Sequence, residues 1–331
     1  MIYDILTIGG ATRDITFFSD EGILINNKED LLRQELLAFE QGAKIKVDRF
    51  HYLFGGGAAN AAVNFALSGF KVASLIRVGK DENGVAIRDN LKRKKVFVPF
   101  LQKDDKEPSG FSFVLVSPGG ERIIFASRSA NENLKIIRPF ITAASKAKWL
   151  YFSSLPFGWR SLVKPLFSLQ KPKIAWNPGL GQLKGGLKSL AWHLKKVELF
   201  MLNHDEAIEL VLSDENYKDK KKSFYNNPKN LLKVIHNYGP KVVVITRGSK
   251  GVDAYDGKNF YHQDIFKEKN RVDSTGIGDA FNSSLTSAYQ LSNYNLKKSL
   301  KVAAYNAHLK ISHLGAQAGL QDIRKLLKKK I

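Results

Sequence analysis

The 331-residue sequence contains no cysteine and only two methionines. That absence excludes disulfides, zinc–thiolate sites, iron–sulfur clusters and a cysteine nucleophile. No apolar run approaches the roughly 18–20 residues that a membrane-spanning helix needs. The start, Met1-Ile2-Tyr3-Asp4-Ile5-Leu6-Thr7-Ile8-Gly9-Gly10, lacks the basic n-region and apolar core of a signal peptide. These features together lead to the expectation of a cytoplasmic protein with no membrane partner.

Acidic residues are the other shortage. There are 31 against 52 basic ones, a net charge of +21. Nucleic acid, an acidic membrane surface or a phosphorylated ligand could each answer such a surplus. Lysine outnumbers arginine 39 to 13, whereas bidentate reading of bases favours arginine. The lysines are also dispersed, thickening only near Lys92–Lys95, Lys218–Lys222 and Lys328–Lys330. The expectation is therefore a solvated basic surface and no nucleic-acid partner. Hydrophobic residues at 44% and charged residues at 25% are those of an ordinary globular chain.

Ile5 to Gly9 has the form of a buried strand. Residues 15–54 are polar and turn-rich, with short alternating pieces at Gly22–Ile25 and Lys44–Val47 that suggest a small sheet. A glycine run opens a helix over Ala58–Leu67, closed by Ser68-Gly69. Lys71–Val78 is expected as a strand, with another helix after Gly84. Residues 96–127 turn strand-like, with a hairpin expected about the Ser-Pro-Gly-Gly turn at 117–120. Strands then recur at Trp149–Phe152, Lys173–Trp176, Leu199–Leu202 and Lys241–Ile245, with helical stretches between. Asn216 to Asn230 is expected as a surface loop. This rhythm predicts a three-layer α/β/α fold with a mainly parallel sheet. The two β-rich stretches, approximately 15–54 and 96–127, are expected to form a discontinuous lid on one domain spanning 1–331.

The strongest local signal is Asp273-Ser274-Thr275-Gly276-Ile277-Gly278-Asp279, followed by the helix Ala280–Tyr289. Two glycines ahead of a helix let successive backbone N–H groups converge on an anion. Asp279 has two readings on its own: the cap of that helix, or a carboxylate that accepts a hydroxyl proton beside an anion hole, as phosphoryl transfer to an alcohol requires. Gly55-Gly56-Gly57-Ala58-Ala59-Asn60 is neither a dinucleotide fingerprint nor a P-loop. It is read either as tight helix–strand packing or as a site presenting hydrogen bonds to a polyol.

Taken together, the two motifs resemble the ribokinase-like (PfkB) family of sugar and nucleoside kinases. Gly55, Gly56, Asn60, Gly69 and Gly79 meet the spaced positions of that family's first signature. Asp273, Thr275, Gly276, Gly278 and Asp279 match its second. Asp14, Asn177-Pro178, Asn203-His204-Asp205-Glu206, Thr246-Arg247-Gly248, Asn306 and Gly315-Ala316 follow in family order. Three positions depart from the pattern. Ile277 replaces a small residue between the loop glycines, Ser284 stands where the pattern has alanine or glycine, and Gly57 stands where ribokinases proper carry lysine.

The resemblance implies transfer of the γ-phosphate of ATP to a hydroxymethyl group of a small sugar, with Asp279 as base and Gly276, Ile277 and Gly278 as the anion hole. It implies that Asp14, Gly56, Gly57 and Asn60 bind the acceptor, and that Asn203, Glu206, Thr246, Gly248, Gly251 and Asn306 serve the nucleotide. It further implies Mg²⁺ held through water at Glu206, a candidate monovalent-cation (K⁺) site at Asp273 and Thr275, and a lid that excludes water; the open edges of such a lid sheet could be covered by a partner subunit in a homodimer. Two alternatives stay open here: a nucleoside kinase, and a family member that binds nucleotide without turnover. Histidines 51, 204, 236, 262, 308 and 313 show no metal spacing. Trp149, Trp159, Trp176 and Trp192 are expected to pack in core or lid, and Ile323–Ile331 to dock as a terminal helix.

Overall fold

The computed structural model describes residues 1–27, 35–47, 49–116, 122–267, 271–329 and 331. The hairpin turn expected at 117–120 and Lys330 lie outside the described residues. The strands in chain order begin with β1 (Ile5–Ile8), β2 (Thr12–Phe18), β3 (Ile23–Asn26), β4 (Glu35–Ala38), β5 (Arg49–Gly55), β6 (Val72–Leu75), β7 (Arg77–Gly79) and β8 (Gln102–Asp104). They continue with β9 (Phe111–Val116), β10 (Arg122–Ser127), β11 (Trp149–Phe152), β12 (Lys173–Trp176), β13 (Leu199–Asn203), β14 (Val242–Thr246), β15 (Val252–Tyr255) and β16 (Phe260–Gln263). The first six α-helices are α1 (Gly57–Leu67), α2 (Glu82–Arg93), α3 (Arg138–Ala144), α4 (Trp159–Phe167), α5 (Leu180–Leu183) and α6 (Gly186–Leu194). The other six are α7 (His204–Leu212), α8 (Lys222–Asn226), α9 (Pro228–His236), α10 (Ile277–Leu291), α11 (Leu296–Ile311) and α12 (Ile323–Leu326).

Eight strands form the central sheet in the order β16-β15-β14-β13-β12-β11-β1-β6. β6, β1 and β11 to β14 are parallel, and β15 and β16 add an antiparallel edge. The parallel strands are continuously apolar because both faces are covered. In β11, Leu150 and Phe152 pack with α3, α4, α6, α7 and α9 on one face, while Trp149 and Tyr151 pack with α1, α2, α10 and α11 on the other. β14 divides in the same way, Val243 and Ile245 against Val242 and Val244. Alternation with period two thus builds the three layers.

Helix ends follow local chemistry. α1 stops in a Schellman motif: Gly69 at φ +82° lets its N–H reach the Ala66 carbonyl while the Phe70 N–H reaches that of Phe65. α2 starts on Asp81, whose carboxylate accepts from the Gly84 N–H, and ends on Lys92 and Arg93.

A four-stranded sheet, β10-β9-β2-β5, stands beside the central one. It is narrower than the stretches expected from sequence. Lys44–Val47 is not a strand; the segment is exposed or half-buried and makes no ladder. Residues 96–104 turn back to the core instead, where Phe97 bridges to Ala73 and β8 pairs with β7. Lys71–Val78 is accordingly two short strands in different sheets. Residues 216–230, expected as a loop, contain α8 and the start of α9, where Asn227 caps the helix and Pro228 fits its first turn. Trp149, Trp159 and Trp176 are buried as expected, but Trp192 is 45% exposed on α6. α12 docks through Ile323 and Leu326 onto Ala288 and Val302.

Candidate active site

The order of the central sheet reverses at β1, since α1 carries the chain to β6 on one side and later strands extend from the other. Ligands of open α/β sheets bind at the carboxyl ends of strands near such a switch. A cavity of about 450 Å³ lies there. It takes Gly10 from the end of β1, Ser154 from β11, Asn177 from β12, Asn203 from β13 and Thr246 from β14. Its far wall is the inner face of the small sheet, with Asp14, Ser112, Val114 and Ala126. A second cavity of about 310 Å³ is largely apolar and runs between Thr246, Gly248, Gly251, Val252, Phe266, Phe281 and the α11 residues Ala304, Ala307, His308 and Ile311. Thr246 and Gly278 border both cavities. The anion loop therefore sits where a group could pass from one to the other.

The loop geometry removes one of the two readings of Asp279, the helix cap. The residue that caps α10 is Gly276, in the left-handed region at φ +73°, and Asp279 lies in the first turn. The Asp279 carboxylate instead faces the larger cavity, where its Oδ2 accepts from Asn60 Nδ2 at 2.8 Å. Asn60 Oδ1 in turn accepts from Gln317 Nε2 at 3.0 Å, and Gln317 Oε1 accepts from Asn90 Nδ2 at 2.8 Å. α1, α2 and α10 thus fix the carboxylate through an amide chain. Gly56, at φ +87°, could carry no Cβ: it would stand 2.5 Å from the Gly10 carbonyl oxygen and from Ala11 Cα. That close approach brings α1 against the end of β1 and so places Asn60.

Asp14 on β2 is buried, which pushes its carboxyl up, against hydrogen bonds from Thr12 and Ser112, with the nearby Asp279 charge pushing the same way as burial. Glu206 and Asn203 form the capping box of α7: the Glu206 N–H donates to Asn203 Oδ1 and the Asn203 N–H to Glu206 Oε2, both at 2.8 Å. Burial pushes the Glu206 carboxyl from 4.5 up to about 7, with Asp205 and Glu209 adding to it and the bond from the Asn203 N–H opposing. Between about 4.5 and 7 the folded chain then holds a proton that the unfolded chain has released. Stability from this group is therefore present at low pH and lost as pH rises through that window. Glu206→Gln, which keeps the cap, is expected to flatten this dependence. Relative to wild type it gains on the order of 1 kcal/mol between pH 5 and 8, allowing for partial exposure, as read from urea midpoints.

The structure brings together most of the residues singled out in the sequence. Asp14, Gly56, Gly57, Asn60, Asn203, Glu206, Thr246, Thr275, Gly276, Gly278 and Asp279 border the larger cavity, and Gly248, Gly251 and Ile277 the smaller. Asn306 does not join them. It is fully buried, its Nδ2 donating to Ser284 Oγ and its Oδ1 accepting from the Gln321 N–H, on the side of α11 away from the smaller cavity. Ser284 is thus a partner of Asn306 and of Asn64, not a mere spacer. Asp273 is fully buried behind the loop. Among the described residues no group of three His, Asp or Glu side chains could hold a metal.

Ser112, Arg128 and Asn131 also border the larger cavity and carried no motif. Arg128 donates to Ser154 Oγ at 2.5 Å and pairs with Glu132. Asn131 clasps Ala11, accepting from its N–H and donating to its carbonyl, both at 3.0 Å.

A doubly covered parallel sheet thus carries a glycine loop between two cavities at the carboxyl ends of its strands. Residues 25–323 match the profile of the pfkB family carbohydrate kinases, and the chain belongs to that family. It is similar to the ATP-dependent 6-phosphofructokinase of Thermoanaerobacterium thermosaccharolyticum, with 24% identity over 322 residues, 92% of this chain and 95% of that one. It is 26% identical to the ribokinase of Lactococcus lactis subsp. lactis over 286 residues, 85% of this chain and 87% of the relative. The structure of Arabidopsis thaliana ribokinase complexed with ribose and ATP superposes with a TM-score of 0.75 at 19% identity, covering all of both chains. The protein is a sugar or nucleoside kinase, a phosphotransferase with a hydroxyl acceptor.

Proposed function

We propose that this chain transfers the γ-phosphate of ATP to a hydroxymethyl group of a small sugar, with Asp279 as general base. The observation that carries this reading is the position of the anion loop. Gly278 borders both cavities while Asp279 faces only the larger, so an acceptor hydroxyl there lies between its base and the phosphoryl donor. The Asp279 carboxylate takes the hydroxyl proton, and the oxygen attacks the γ-phosphorus as the bond to the ADP leaving group breaks. The N–H groups of Gly276 and Gly278 face the charge on the transferred phosphoryl, with the α10 dipole behind them. Thr275 Oγ1, buried beside Asp273, is a further donor on the same cavity. The Ile277 N–H is already engaged, donating to the Ser274 carbonyl at 3.3 Å; its side chain borders the smaller cavity and packs with the apolar layer of α1, α10 and α11.

Asp14, Asn60 and the Gly56–Gly57 backbone orient the acceptor's hydroxyls. The apolar walls of the smaller cavity, Val252, Phe266, Phe281 and Ala307, suit a nucleobase, and Gly248 and Gly251 its phosphates. Mg²⁺ fits Glu206 through water: its one free carboxylate oxygen suits an ion that keeps several waters. The ion would neutralise charge on the phosphates. The ion's own charge would favour the ionised carboxylate, opposing the burial that pushes Glu206 up. The experiment is Mg²⁺-dependent ATP consumption against a panel of sugars and nucleosides. Turnover on a primary-hydroxyl sugar supports the reading, nucleoside-only turnover moves the acceptor class, and ATP binding without any turnover overturns it.

The small sheet serves as the lid. Its inner face carries Asp14 and Ser112 to the cavity, while its outer face shows Phe50, Phe113 and Phe125, which are 60%, 41% and 59% exposed. An apolar face of that kind suits a second copy of the chain. The double substitution Phe113→Asp, Phe125→Lys is expected to convert a dimer to a monomer in sedimentation, with Tm changed by only about 2–4 °C because neither side chain is core.

A further inference from the structure

Lys310 stands on the last turn of α11 with its side chain fully buried, an uncommon place for a lysine. Its Nζ donates to the Asp273 carbonyl oxygen at 2.7 Å and lies 3.9 Å from Asp273 Oδ2. The Asp273 side chain, equally buried, uses its oxygens to hold two turns: Oδ1 accepts from the Thr275 N–H and Oδ2 from the Gly315 N–H, each at 2.7 Å. Burial alone would push this carboxyl up, but the Lys310 charge, followed by the bonds from Thr275 and Gly315, holds it below its ordinary value. The helix end closes the assembly, since the Ile311 carbonyl accepts from the N–H groups of both Val272 and Asp273. The neighbouring Ala316 packs under Gly276, where even a Cβ would stand 2.3 Å from its own. Lys310, Asp273 and the 315–316 turn therefore form the floor of the anion loop.

Family resemblance placed a monovalent cation at Asp273 and Thr275. The residues present do not fit one. A K⁺ ion there would need carboxylate oxygen that already serves two backbone donors and would meet the Lys310 ammonium as a like charge.

We propose that Lys310 is the resident cation of the anion loop, holding the Asp273 turn as a bound monovalent ion would, so that this chain needs no K⁺ for order or for turnover. Lys310 is on this account a positioning residue. The inference rests on the kinase reading only for its turnover arm; the stability arm needs no acceptor and stands if that reading fails.

The test compares KCl with tetramethylammonium chloride at equal ionic strength. Wild-type Tm is expected to agree within about 1 °C, because an ion that does not bind shifts nothing, and kcat within about twofold. Lys310→Ala removes one partner of a buried pair and is expected to lower Tm by about 10 °C in tetramethylammonium. K⁺ then enters the vacated space and restores about 5 °C, with a matching return of kcat. Lys310→Gln, closer in volume, carries the same prediction if the alanine variant does not fold. A wild type stabilised or activated by K⁺ overturns the proposal. So does a folded Lys310 variant that is equally stable and active in both salts.

Discussion

Asp279→Asn is expected to lower kcat by about 10²–10⁴-fold, the range over which a positioned general base acts. Nucleotide affinity should stay within about threefold, since the smaller cavity contains Gly278 but not Asp279. The substitution is isosteric, and the carboxylate's partner is an amide, Asn60 Nδ2 at 2.8 Å. An asparagine keeps an oxygen for that bond, so Tm should move by no more than about 2–4 °C. Turnover and calorimetric ATP binding, measured on the same preparation, separate the two effects. A variant with near wild-type kcat would remove Asp279 from proton transfer altogether. A variant that lost ATP binding as well would show that the residue organises the loop and leave its chemistry to another group.

The second large effect is expected at Gly276. It begins α10 at φ +73°, and a Cβ there would fall 2.3 Å from Ala316 Cβ and 2.8 Å from Ala316 Cα. Alanine adds left-handed strain of about 1–2 kcal/mol, and the clash is with a turn that cannot retreat because Gly315 is bonded to buried Asp273. The loop must therefore shift away from the helix axis, and misplaced donors in such a hole cost about 10²–10³-fold in kcat. Gly278→Ala is the internal control, because nothing lies within 4 Å of the Cβ it would add. That variant should keep its Tm yet weaken ATP binding, since the new methyl would point into space shared by the cavities. Equal loss of Tm in both variants would mean that the loop is sensitive to any side chain, with no special role for the contact to Ala316.

The motifs were legible because glycine spacing is a backbone requirement and survives in the sequence as spacing. Gly56 and Gly276 both sit at positive φ with backbone neighbours too close for a side chain, and both lie in the matched signatures. The parallel strands were legible for a related reason. Val242 to Ile245 is apolar throughout because it is covered on two faces, and its shortness and β-branched residues set it apart from a buried helix. The lid boundaries were not, since exposed alternating residues such as Lys44–Val47 resemble a strand whether or not a partner strand exists.

Asn306 misled because its position in family order says nothing about which side of α11 it occupies; Ala304, Ala307, His308 and Ile311 show that only part of the helix meets the smaller cavity. Lys310 did leave a signal. It falls on the buried run Leu300, Ala303, Ala307, Ile311 at helical spacing, and a charge on an apolar stripe needs a buried partner. Gln317, Ser112 and Arg128 left none, because long-range hydrogen bonds have no periodicity.

The clasp between Asn131 and Ala11 has a mechanical consequence. β1 ends at Ile8 and β2 begins at Thr12, so the chain passes from the large sheet to the small one within three residues. Asn131 grips the last residue of that passage, Ala11, by both its N–H and its carbonyl. Sliding of β2 along its own axis would break both bonds. A second tie lies beside the first, since Gly56, between β5 and α1, packs against the Gly10 carbonyl and Ala11. The Asp14 end of β2 is thereby pinned to the large sheet, and Phe18 lies at the end of the strand away from that anchorage.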